Sequence, residues 1–134
     1  MEKRAAKSRA VPEQLFRALA DRTRLRLLNL MGEQEICVYY FVEVIGTNQP
    51  KISRHLAYLR RAGVVTARRS GKWMHYRIVV PTDARAASIL RTTLDWISQD
   101  PQMQRDRQRL TRQLRAAELC APAGCASPFS CAEA

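Results

Sequence analysis

Residues 46–78, GTNQPKISRHLAYLRRAGVVTARRSGKWMHYRI, read as a turn, a helix and a basic hairpin in succession. Asn48 can cap the helix, and Pro50 is tolerated in a first turn, where amide donors have no partner anyway. Turned at about 100° per residue, Ile52, Leu56 and Leu59 fall on one face and must look into a core. Pro50, Arg54 and Arg61 fall opposite, with Lys51, Ser53, Ala57 and Tyr58 on the shoulders. His55 lies nearer the apolar stripe, which predicts a structural role such as a hydrogen bond to backbone. Gly63 stops the helix. Residues 64–68 and 73–78 then read as two strands around Ser70, Gly71 and Lys72.

This order of elements has the shape needed to read duplex DNA. A helix fits a major groove, a preceding helix braces it, and a hairpin can lie along the adjacent phosphates. Gln49, Ser53 and Arg54 can donate to or accept from base edges. Lys51, Arg60 and Arg61 can reach phosphates, and Tyr58 shares their shoulder. Arg68, Arg69 and Lys72 cluster at the hairpin tip, while Trp73 and Tyr76 read as the packing that anchors it. An ordinary amphipathic surface helix would leave the basic hairpin that follows it unexplained.

Upstream, helical order should begin near Pro12, with Leu15, Phe16 and Leu19 on one face. Asp21 is a candidate N-cap for a second helix running to about Met31, with Leu25, Leu28 and Met31 inward and Gly32 at its end. Residues 36–45, ICVYYFVEVI, are almost wholly apolar. Periodicity alone does not separate strand from buried helix there, but the turn and helix that follow at once favour a short helix. Downstream, Asp83 opens a helix whose apolar residues Ala87, Leu90, Leu94 and Ile97 have seam spacing, suited to the core or to a partner helix. Asp100 and Pro101 start a last, mostly polar helix to about Leu119, with a thin stripe of Leu110, Leu114 and Ala117. The expected organisation is a flexible basic arm at 1–11, a DNA-binding and dimerisation domain at 12–98, a C-terminal helix at 99–119 and a cysteine-containing tail at 120–134. The fold class is mainly α with a β-hairpin wing, a winged helix-turn-helix that works as a dimer.

Composition narrows the function. The chain has 134 residues, enough for one domain with a modest core, and 23 Lys and Arg against 12 Asp and Glu leave a formal charge of +11. Such an excess favours a polyanion, because each neutralised phosphate releases counterions. No segment approaches the roughly 20 apolar residues of a membrane span, and the basic first residues lack the apolar run of a secretion signal. The expected setting is a reducing cytosol, where the four cysteines are thiols or metal ligands rather than disulfides. Cys37 stands alone, whereas Cys120, Cys125 and Cys131 lie close together. The gaps between these three are not the Cys-x-x-Cys of a structural zinc site. No nucleophile–base pairing, Gly-rich phosphate loop or HExxH motif points to an enzyme, so no catalytic cofactor is expected. A sequence-independent packaging protein would share the charge but not need the recognition helix.

RALADRTRLRLLNLM, followed by NQPKISRHLAYLRRAGVVTARRSGKWMHYRI, resembles the arsenical-resistance repressors (the ArsR/SmtB family). The likeness covers roughly residues 12–98 and is most specific over 49–76. It implies a dimeric winged helix-turn-helix repressor that sits on an inverted-repeat operator in double-stranded DNA and leaves it when a metal or metalloid binds. Many arsenic-responsive members carry Glu-Leu-Cys-Val-Cys-Asp-Leu before the recognition helix. Here the stretch is Glu35-Ile36-Cys37-Val38-Tyr39-Tyr40-Phe41, so Cys37 matches the first cysteine and Tyr39 replaces the second. The usual paired site is broken, and attention moves to the tail.

Trivalent arsenic, like antimony, is thiophilic, and soft thiolates select such ions. Cys120, Cys125 and Cys131 supply three sulfurs, with bendable chain containing Pro122, Gly124 and Pro128 between them. They are the expected effector ligands, and Cys37, in an apolar run, is the lesser candidate because a buried inert cysteine is commoner. An alternative keeps the repressor but makes the trigger a disulfide among the tail thiols.

Overall fold

The computed structural model describes residues 11–120, the side chain of Cys120 excepted. In chain order the elements are α1 (Pro12–Leu19), α2 (Arg22–Met31), β1 (Ile36–Cys37), α3 (Val38–Ile45), α4 (Gln49–Arg61), β2 (Val65–Ser70), β3 (Trp73–Ile78), α5 (Ala84–Ile97) and α6 (Pro101–Cys120). The expected basic arm falls almost wholly outside the described residues, as does the tail beyond Cys120.

Short polar side chains start the helices where the sequence places them. Asp21 accepts from the Arg24 amide at 3.0 Å, Asn48 from the Lys51 amide at 3.0 Å, and Asp83 from the Arg85 amide at 2.8 Å. Asp100 does the same for α6, accepting from the Gln102 amide at 2.8 Å. Each satisfies a first-turn donor that has no partner inside its helix. Between α3 and α4 the chain reverses through Gly46 at φ 80°, a left-handed conformation that an L side chain resists.

The stretch 36–45 is not one helix. Ile36 and Cys37 pair with Tyr76 and His75, adding a two-residue strand to the hairpin and giving the antiparallel order β1-β3-β2. Their backbone groups satisfy the free edge of β3, and only from Val38 does the chain coil, so an apolar run can serve both geometries. The hairpin runs in register from Val65 opposite Ile78 to Ser70 opposite Trp73. Gly71, with φ 62°, takes the first position of its two-residue loop, as a tight hairpin turn requires.

Phe41, Leu27, Leu28, Met31, Ile52, Leu56, Leu59 and Leu90 form one continuous core. Two expected stripes are corrected. Leu15 and Ala18 carry the buried face of α1 while Phe16 is 54 % exposed, and on α2 it is Leu27, Leu28, Leu30 and Met31 that are buried while Leu25 is half-buried. In α5, Ala87, Leu90 and Ile97 are buried and Leu94 is half-buried against the core, so the seam roofs its own subunit.

The last helix is more firmly seated than its polar composition implies. Met103 and Asp106 are fully buried on it, with Leu110 beside them. Asp106 takes a two-pronged bond from Arg26 of α2, at 2.7 and 2.9 Å, and a third from Gln102 at 2.9 Å. Buried Asn29 donates to the Met103 carbonyl at 2.9 Å. Arg107 returns the contact to the Asn29 carbonyl at 2.8 Å, and Arg109 donates to the Val44 carbonyl at 3.1 Å, near the end of α3. A guanidinium suits such a helix C-terminus, where carbonyls lack partners and the dipole is negative.

Asp106→Ala should destabilise the fold by about 3–5 kcal/mol, because it strands the Arg26 charge in a largely buried place; urea denaturation measures it, and a loss below about 1 kcal/mol would mean that water already screens the pair. Tyr40 carries a buried hydroxyl with no partner among the described residues. Tyr40→Phe should therefore leave stability unchanged or raise it by about 1 kcal/mol, and a clear loss in the same assay would reveal a partner for that oxygen.

Candidate nucleic-acid interface

Helix α4 turns its apolar residues wholly inward and leaves a polar outer face. Ile52, Leu56 and Leu59 are fully buried, whereas Gln49, Lys51, Arg54, Arg60 and Arg61 are exposed and Ser53 is half-buried. The expected readers on α4 thus occupy one continuous surface, apart from Tyr58. The Tyr58 ring is engaged within the protein, with the Arg24 guanidinium 4.2 Å from its centroid and that of Arg61 at 5.5 Å. Such stacking of a cation on an aromatic face fixes both partners.

Arg24 was not singled out by sequence reasoning, although it lies in the run ALADRTRLRLL. Its side chain donates to the Ala18 carbonyl at 3.0 Å and to the Arg17 carbonyl at 2.8 Å, and it meets His55 Nδ1 at 3.3 Å. One guanidinium thereby joins the end of α1, the start of α2 and the flank of α4. His55 has the structural role expected of it, but its partners are side chains rather than backbone: Arg24, and Asp21 at 3.7 Å. A single arginine among many in a basic chain gives no sequence signal for this.

The hairpin divides its cations. Arg68 grips the Glu35 carboxylate with both arms, the shortest contact being 2.6 Å, and so ties β2 to the approach to β1. It braces the wing through an exposed ion pair rather than standing as a free charge. Arg69 and Lys72 are exposed and have no carboxylate partner among the described residues. Trp73 packs against the core and Tyr76 is buried against Phe41, both anchoring the hairpin as expected.

Cys37 is 4 % exposed at the strand-to-helix junction. Burial pushes its thiol above the usual range, and the Tyr39 amide offsets only part of this. A thiol kept protonated is a poor ligand for a soft ion. Among the described residues no group of His, Cys, Asp and Glu is arranged to hold a metal. Cys120 is the final residue of α6; its side chain, Cys125 and Cys131 lie outside the described residues.

The family profile described as bacterial regulatory protein, arsR family, matches residues 21–67, which span α2, α3, α4 and the first residues of β2. The chain is 47 % identical over 81 residues to the arsenical resistance operon repressor of Escherichia coli (strain K12), an alignment covering 60 % of this chain and 69 % of that one. The chain belongs to the ArsR family. Among solved structures, HlyU from Vibrio cholerae N16961 matches with a TM-score of 0.57 at 26 % identity, over 74 % of this chain and 100 % of that one. The AntR antimony-specific transcriptional repressor matches with a TM-score of 0.50 at 34 % identity, over 66 % of this chain and 78 % of that one. As an ArsR-family winged helix-turn-helix protein the chain is a DNA-binding transcription regulator and not an enzyme. No described helix is long and apolar enough to cross a membrane.

The carboxylates that hold this ArsR-family head together set an acid limit. Arg68 holds Glu35 below the usual carboxylate range, the Ala86 and Arg85 amides do so for Asp83, and Arg22 does so for Asp100. A carboxyl whose folded pKa is depressed adds stability above its unfolded value and loses it as pH falls through the folded one. Stability should therefore hold down to about pH 5 and decline steadily below it. Thermal melts across pH should show a shallower acid decline for Glu35→Gln, and a slope equal to wild type would remove the Glu35–Arg68 pair from this account.

Proposed function

We propose that this chain is a transcriptional repressor that leaves its operator when trivalent arsenic, or antimony, is taken up by cysteine thiolates. The observation that carries the reading is the rigid head made by α4 and the hairpin. Gln49, Ser53 and Arg54 face outward to meet base edges, and Lys51, Arg60, Arg61, Arg69 and Lys72 are placed for phosphates. The likeness to an arsenical resistance operon repressor and to an antimony-specific repressor supports the choice of effector. The protein acts in the cytoplasm, with double-stranded DNA as its partner, and needs no membrane and no catalytic cofactor.

Two subunits read an inverted repeat whose halves lie about one helical turn apart. With the α5 seam occupied by its own core, the homodimer draws on apolar side chains left in solvent, of which Trp96 on α5 itself is 77 % exposed. The ligands of the effector are Cys120, Cys125 and Cys131, three thiols close together in sequence, whereas burial holds the Cys37 thiol above its usual range. Release follows if the ion binds the form unable to span successive grooves more tightly than the DNA-competent form.

Arsenite titration of the operator complex tests the assignment. Wild type and Cys37→Ser should both release DNA, while the variant with Ser at positions 120, 125 and 131 should stay bound. The reverse pattern would move the site to Cys37. Release of wild type by peroxide but not by arsenite would favour a disulfide trigger instead.

A further inference from the structure

One basic groove joins Lys51 and Arg54 of the DNA-facing helix to residues of α2 that have no role in DNA binding so far. It is an open depression of about 550 Å³ between α2, the end of α3 and the flank of α4, lined by Thr23, Arg26, Thr47, Lys51, Arg54 and His55 with Ile45 as its one apolar residue. No Asp or Glu lines it. The two helices each offer a row to it, Thr23 and Arg26 one turn apart on α2, and Lys51, Arg54 and His55 one turn apart on α4.

The charges on these walls are not equivalent. Arg26 is already neutralised by Asp106, and His55 is held beside Arg24 and Asp21. Lys51 and Arg54 have no carboxylate partner among the described residues. The groove therefore holds two uncompensated positive charges next to two threonines able to donate hydroxyl hydrogen bonds. That set suits a tetrahedral oxyanion. The walls are also fixed in advance, since α2 is locked to α6 by Asp106 and to α1 by Arg24.

We propose that this groove seats a phosphodiester of the DNA backbone, on the strand bordering the major groove that α4 enters. Helices α2 and α4 then grip one backbone linkage between them, with Thr23 and Thr47 as added phosphate donors and with Arg54 turned to the phosphate instead of a base edge. A free phosphate or arsenate ion shares the chemistry, and competition by the free ion separates the two. This inference rests on the DNA-binding reading and extends it to α2, which otherwise only supports the head.

Thr23→Glu is the informative variant, because a carboxylate favours the first turn of a helix and should not harm folding. Binding is read by fluorescence anisotropy of the full chain, on a duplex selected from random sequence and on a scrambled duplex. Thr23→Glu should weaken both about equally, by about tenfold, with a shallower salt dependence. Ser53→Ala should weaken the selected duplex preferentially. A scan of selected duplexes, each with one neutral methylphosphonate linkage, should find a position where wild type loses affinity and Thr23→Glu does not. Unchanged affinity of Thr23→Glu for both duplexes overturns the inference. So does displacement of wild type by millimolar inorganic phosphate or arsenate beyond that by chloride at equal ionic strength, if Thr23→Glu abolishes it, since that marks a free-ion site. Failure of wild type to bind either duplex, or indifference to Gln49→Ala combined with Arg69→Ala on both, would instead remove the DNA-binding reading beneath it.

Discussion

The pairing of Arg26 with Asp106 is the constraint on which the rest of the molecule leans. Two opposite charges, 2.7 Å apart, sit where water scarcely reaches, and the carboxylate accepts a further bond from Gln102. Removing ions from water is costly, and only near-ideal geometry with extra hydrogen bonds offsets it. The pair thus fixes the register of α6 on α2 more sharply than apolar packing alone would. Since Arg109 of the same helix also holds the Val44 carbonyl, α2 and α3 are set against one common support. The recognition helix inherits its position from both.

A second theme is the division of a large positive charge into committed and free parts. Arg24, Arg26, Arg68, Arg107 and Arg109 spend their donors on carbonyls, carboxylates or an aromatic face within the fold. Lys51, Arg54, Arg69 and Lys72 keep theirs for solvent and a polyanion. The chain's formal charge of +11 says that it should meet nucleic acid, but not which cations do so. On α4 and at the tip of the wing these free charges sit beside the polar row of the recognition helix, whereas Arg91, Arg112 and Arg115 lie exposed on α5 and α6.

Much of this was legible from residue order. The caps at Asp21, Asn48, Asp83 and Asp100, the stops at Gly32 and Gly63, and the inward row Ile52, Leu56, Leu59 follow from local rules that tertiary structure rarely overrides. The α4 surface was legible for the same reason. What escaped depends on contacts distant in sequence. Glu35 captures Arg68 across 33 positions, and Asp106 captures Arg26 across 80, so neither pairing leaves a periodic trace. The short β1 escaped because strand and buried helix ask for the same apolar residues. The seam of α5 was read correctly as apolar, but spacing cannot tell which surface it meets.

The depth of Cys37 turns a question of affinity into one of timing. The residue pairs with His75 in the sheet and stands at the N-cap of α3, with 4 % of it open to solvent. A thiophile in solution meets it only in moments when that corner of the sheet opens. Its modification rate is then the product of a local opening equilibrium and an intrinsic thiol reactivity already slowed by protonation. The cysteine that best aligns with a sensing motif is thus the one whose response is throttled by the breathing of the fold.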